Sequence, residues 1–123
     1  MVEKFTNYKN SKVVFLSGEI DQYAAAVLKS KIDLEMEDSK KKNLIIDLKD
    51  VSMMDSSGIG LIIGRYKMLA PIGGVVAVSG ASNGVRRVIS LSGIEKIISH
   101  YQTPEEADRE IGLLTTKERS EQL

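Results

Sequence analysis

The sequence predicts a single α/β domain whose sheet opens as an antiparallel hairpin and continues in parallel strands: a mixed four- to five-stranded sheet flanked by about four helices. Three observations predict it. Beyond the first two strand-like segments, short β-branched runs alternate with helical patterns. The apolar runs Leu44–Leu48 and Val75–Val78 are nearly continuous, as strands covered on both faces require. Helical segments fall where parallel neighbours need crossover connections. The length of 123 residues suits one domain with one core.

Each element has its own local reason. Glu3–Tyr8 and Lys12–Ser17, separated by Asn10-Ser11, read as the hairpin. Gly18-Glu19-Ile20-Asp21 is expected to leave the sheet. Ala25, Leu28, Ile32 and Met36 recur at helical spacing with Lys29, Lys31, Glu35 and Glu37 between them, and Asp38–Lys42 closes that helix with a solvated lysine run. After the strand Leu44–Leu48, a loop is expected over Lys49–Asp55. Ser56-Ser57-Gly58 opens a second helix to about Leu69, with Ile59, Ile62, Ile63 and Tyr66 inward and Arg65 and Lys67 elsewhere. Pro71 and Gly73-Gly74 end it. Asn83 is the expected N-cap of a third helix that places Val85, Val88 and Ile89 inward and stops at Gly93. Ile97-Ile98 reads as a brief strand. Thr103-Pro104-Glu105-Glu106 is a cap, a first-turn proline and acidic residues at the positive end of a helix expected to reach Ile111 or Leu114. The domain is thus expected over 1–114, with 115–123 as a polar, flexible C-terminal tail.

Composition narrows the function. Lys and Arg total 17, as do Asp and Glu, so the formal net charge is zero. That balance disfavours direct nucleic-acid binding and a polybasic membrane anchor, both of which concentrate cations. With no cysteine there is no disulfide, thiolate nucleophile or cysteine-held metal, and one histidine makes a transition-metal site improbable. No cofactor is implied. The start Met1-Val2-Glu3-Lys4-Phe5 lacks the pattern of a signal peptide, and the longest apolar stretches are far shorter than a membrane span, so a cytoplasmic protein is expected.

The informative stretch is MMDSSGIGLIIGRYK, Met53–Lys67. A hydroxyl at the mouth of a helix can cap free N–H groups, and a phosphate there is tolerated by the helix dipole; Ser56 and Ser57 fit either role. Gly60 and Gly64 share a helix face although each costs about 1 kcal/mol relative to Ala, so something needs close approach. Tight packing on the sheet is one reading and a flat surface that accepts a partner is the other.

The run MDSSGIGLIIGRYK resembles the STAS-domain anti-sigma factor antagonists, closest to the sporulation type through Gly64–Lys67. The turn Gly18–Asp21, the stretch LIIDLKDVSMMDSSG, Ile72–Gly74, the ASNGVRR segment and LSGIEKII follow in the family's order, so the resemblance covers about residues 3–112. It implies a phosphoswitch at Ser56, the serine after the motif aspartate. The implied partner is an anti-sigma factor serine kinase, ATP-bound and of histidine-kinase-like fold. The unphosphorylated antagonist binds it and frees the sigma factor, the kinase ends the contact by phosphorylating Ser56, and a serine phosphatase resets the switch. Asp21, Asp55, Ser56, Ser57, Gly58 and Gly60 are the partner-binding residues by resemblance. Ser57 is assigned to helix capping.

Two other classes compete. An enzyme would need more than Ser56 and His100: there is no Gly-x-Ser-x-Gly elbow, no Walker lysine, and Gly58, Gly60 and Gly64 miss the dinucleotide spacing. A STAS interaction or scaffold module, such as a general-stress antagonist or a stressosome-like subunit, shares the fold. An intact Asp-Ser-Ser-Gly in a short chain favours the diffusible antagonist.

Overall fold

Five strands pair in sequence order: β1 (Val2–Asn7), β2 (Lys12–Ile20), β3 (Leu44–Met54), β4 (Val76–Ser79) and β5 (Ser99–Tyr101). The computed structural model describes the backbone of residues 2–122 and the side chains of residues 3–114. β1 and β2 form the antiparallel hairpin, and every later pair is parallel. Since each parallel step goes the same way, right-handed crossovers put α1 (Gln22–Asp38), α2 (Ser56–Leu69) and α3 (Asn83–Ser92) on one face. The other face is covered by α4 (Pro104–Gln122).

The period of two along each strand divides the core between those faces. Val14, Ile46 and Val78 pack with Leu28, Ile32, Ile62 and Ile89 under the three crossover helices. Their neighbours Val13, Ile45 and Ala77 pack with Ala107 and Ile111 of α4. Coverage on both sides is why these strands are apolar at consecutive positions. The polar exception is Asp47, 4% exposed, whose Oδ1 accepts a hydrogen bond from Ser79 Oγ at 2.8 Å. Asn43 joins three segments: Nδ2 donates to the Asn10 carbonyl and Oδ1 accepts from Val75 N, both at 2.9 Å.

The expected elements are present, and their limits need five corrections. β2 does not leave the sheet at Gly18: it continues to Ile20 through two register shifts, with Gly18 at φ 86°. The expected loop Lys49–Asp55 is strand up to Met54. β4 pairs with β3 only from Leu44 to Asp47, so the second half of β3 has a neighbour on one side and takes exposed polar residues such as Lys49 and Asp50. The cap of α3 is Ser82, whose side chain accepts from Val85 N, and Asn83 is already helical. Ile97 and Ile98 lie in a turn, both N–H groups reaching the Ile94 carbonyl, and the strand begins at Ser99. Finally, α4 passes its expected end at Ile111 or Leu114 and its backbone is helical to Gln122, with no Gly or Pro after Gly112 to stop it. Of the expected tail 115–123, Leu123 lies outside the described residues.

Candidate partner-binding site

The site forms where two parallel strands end together. Ile20 of β2 pairs with Met54 of β3, so the residues that follow, Asp21 and Asp55, emerge side by side at the carboxyl edge of the sheet. The N–H of Asp55 donates to the Ile20 carbonyl at 3.4 Å and closes this corner.

Both aspartates are exposed and both are N-caps. Asp21 Oδ1 accepts from Ala24 N at 2.8 Å and Asp55 Oδ1 accepts from Ser57 N at 2.8 Å, each from extended backbone. The cap of α2 is therefore a carboxylate, which corrects the assignment of capping to Ser57. Ser57 supplies the capped N–H. Ser56 is the first residue of α2; it is exposed, and among the described residues its hydroxyl has no hydrogen-bond partner. It directly follows the Asp55 carboxylate and lies at the positive end of a helix.

Gly58 is buried beneath this surface. A Cβ there would run into the Met54 side chain and lie 3.4 Å from Ile20 Cγ2, so any larger residue at the helix start must push Met54 aside. Gly60 and Gly64 are different. A Cβ at either would meet nothing within 4 Å, so tight packing on the sheet does not explain them. They border an open groove of about 290 Å³ between α1 and α2, with Ala25, Ala26, Lys29 and Ser57 among its walls.

Some residues were not legible as part of this surface. Tyr23, 78% exposed, and Met53, 46% exposed, each stand two residues from a capping aspartate. The available signal was that Tyr23 falls outside the stripe of Ala25, Leu28 and Ile32. Arg65 is the opposite case: it lies inward, 4% exposed, with Nε 2.9 Å from Asp33 Oδ1 of α1. His100 is on β5, two strands from β3. Its Nε2 accepts from Ala81 N at 3.1 Å, and burial, then the Arg86 cation, holds its pKa below the ordinary value. Among the described residues no three His, Asp or Glu side chains are grouped as metal ligands, and no helix is long and apolar enough to cross a membrane.

Comparison with known proteins places this geometry. The STAS domain family model matches residues 4–107. The anti-sigma F factor antagonist of Paenibacillus polymyxa is 32% identical over 112 residues, covering 91% of each chain. The anti-sigma-B factor antagonist of Bacillus subtilis (strain 168) is 38% identical over 90 residues, covering 73% of this chain and 81% of that one. The anti-sigma factor antagonist SpoIIAA in its unphosphorylated form is similar with a TM-score of 0.77 at 30% identity, covering 90% of this chain and 97% of that one. The Bacillus cell fate determinant SpoIIAA in the phosphorylated form gives 0.69 at 27% identity, covering 89% and 99%. With these matches along most of its length, the chain belongs to the STAS-domain family of anti-sigma factor antagonists.

Proposed function

We propose that this chain is a cytoplasmic anti-sigma factor antagonist of the sporulation type, switched by phosphorylation of Ser56. Unphosphorylated, it docks Asp21, Asp55, Ser56, Ser57 and Gly60 against an ATP-bound anti-sigma factor serine kinase, and the sigma factor is released; Gly58, expected among the contacts, is buried and supports that surface from beneath. Phosphorylation by that kinase ends the contact, and a serine phosphatase restores it. The chain acts as a regulator and as the substrate of these two enzymes.

The observation that carries this reading is the exposed, unpartnered Ser56 hydroxyl beside the capping carboxylates. A phosphate adds about −1.5 to −2 charges at neutral pH. Asp55 already holds the Ser57 N–H, so the phosphate is not drawn into the helix end and stays at the surface. The helix dipole softens its effect on the free fold. A docked partner would strip water from three neighbouring anionic groups, and that cost opposes binding. The switch is thus one of interface charge with little change of shape. SpoIIAA having been solved in unphosphorylated and phosphorylated forms supports it.

The 38% identity to an anti-sigma-B factor antagonist favours a second wiring, a general-stress antagonist with the same switch. One experiment addresses both. The chain is incubated with ATP and, separately, each anti-sigma kinase of its host, and phosphate is mapped by mass spectrometry. Phosphate at Ser56, its absence from Ser56→Ala, and at least tenfold weaker kinase binding by Ser56→Asp are expected. Phosphate found only elsewhere overturns the site, and the kinase that reacts decides the pathway.

A further inference from the structure

Arg65 is nine-tenths buried, yet its guanidinium is poorly served. Its five N–H groups each need an acceptor when water is excluded. Nε lies 2.9 Å from Asp33 Oδ1, but its N–H is not aligned for a hydrogen bond. Among the described residues, Nη1 reaches only the Leu61 carbonyl, at 3.5 Å, and Nη2 only the thioether Sδ of Met68, at 3.7 Å, a weak acceptor. Arg65 and Met68 both line a pocket of about 180 Å³ at the C-terminal ends of α1 and α2. Met36, Met68, Leu69 and Ile72 form its apolar walls, and Asp33 and Glu37 are its carboxylates. An apolar cavity of about 150 Å³ already accommodates a benzene ring.

We infer that this pocket binds a compact, neutral, largely apolar molecule carrying one hydrogen-bond-accepting oxygen, such as a small ketone or amide, which accepts from Arg65. Charge selects the class. The lining holds one cation and two carboxylates, so an anionic ligand meets net repulsion. A neutral carbonyl completes the guanidinium without adding charge. The apolar walls favour a ring or short branched chain, and two flexible methionines let the pocket adjust to it. Ile72 and Met68, 60% and 52% exposed, leave the mouth open. The pocket lies away from Ser56, Met68 being twelve residues further along α2, about 18 Å at 1.5 Å per residue, while Arg65 also lines the groove beside Gly60 and Gly64.

The test uses the full chain, labelled with nitrogen-15, titrated with cyclohexanone, cyclohexanecarboxylate and cyclohexylamine. Cyclohexanone is expected to shift the Arg65 Nε–Hε cross-peak and the Met68 and Ile72 amides saturably, with the carboxylate at least tenfold weaker. Arg65→Met should weaken cyclohexanone binding at least tenfold. Should that variant fail to fold, Ile72→Trp at an exposed position blocks the mouth and should abolish the cyclohexanone shifts without lowering the unfolding temperature. No saturable shift, equal shifts with all three probes, or shifts that survive Ile72→Trp would each overturn the site. So would sedimentation showing a dimer that Ile72→Trp dissociates, since a second copy would then fill the pocket.

Discussion

Asp33 of α1 and Arg65 of α2 tie the two helices together beneath their surface: Nε stands 2.9 Å from Oδ1 while the arginine is 4% and the aspartate 22% exposed. The pair is Coulombic more than hydrogen-bonded, because the N–H is misaligned. Removing the carboxylate would leave a buried cation without its ion-pair partner. Asp33→Ala is expected to cost about 3 kcal/mol in urea unfolding, the lower end for breaking a buried pair, given the partial exposure of Asp33. Lys12–Glu35 is the control. Those groups lie 3.1 Å apart with Glu35 41% exposed, so Glu35→Ala should cost less than about 1 kcal/mol. Equal losses in the two variants would contradict this account.

The caps give a second expectation. Asp55 satisfies the Ser57 N–H, so Asp55→Ala should lower stability by about 1 kcal/mol and Asp55→Asn by much less, since asparagine caps as well as aspartate. Ser57→Ala removes no cap and should leave the urea midpoint near wild type. A loss at Ser57 as large as at Asp55 would restore capping to the serine hydroxyl.

These residues also indicate what the sequence can reveal. The start of α2 at Ser56 was legible in the short motif, whereas the strand end at Met54 and the cap at Asp55 were not, because polar residues there read equally well as loop. The helices were legible by period, and Gly93 by the left-handed turn it makes at φ 81°. The true length of β3 was not, since exposed residues such as Lys49 and Asp50 read as loop until the short pairing of β4 explains them. Nor was Arg65 readable as buried, because its partner Asp33 lies on another helix. Adjacency of Asp21 and Asp55 depends on strand register, which no local pattern specifies.

The only histidine gives a pH dependence that can be followed cleanly. Burial comes first among the causes that lower the pKa of His100, followed by Arg86; Glu95 and Glu106 oppose them. A base with a depressed folded-state pKa contributes stability above its unfolded value near 6.5, and that contribution is lost as pH falls through the folded value. Proton NMR of the imidazole should show a midpoint below 6.5. Urea stability should decline on acidification below that pH, and His100→Gln should remove part of the decline. A midpoint above 6.5 would reverse the sign and refute the assignment.

Gly60 separates stability from binding. An alanine Cβ there meets nothing within 4 Å, and alanine in a helix interior is favoured over glycine by roughly 0.5–1 kcal/mol. Gly60→Ala should therefore raise the urea midpoint of the free chain. Gly58→Ala should lower it, because Met54 must move aside. If the groove beside Gly60 receives the kinase, the same added methyl stands between the surfaces, and binding by Gly60→Ala should weaken at least tenfold. A substitution that stabilises the free protein while weakening its complex cannot act through misfolding. Wild-type affinity in a stabilised Gly60→Ala would instead move the partner's contact surface off the groove and confine it to the strand-end aspartates and Ser56.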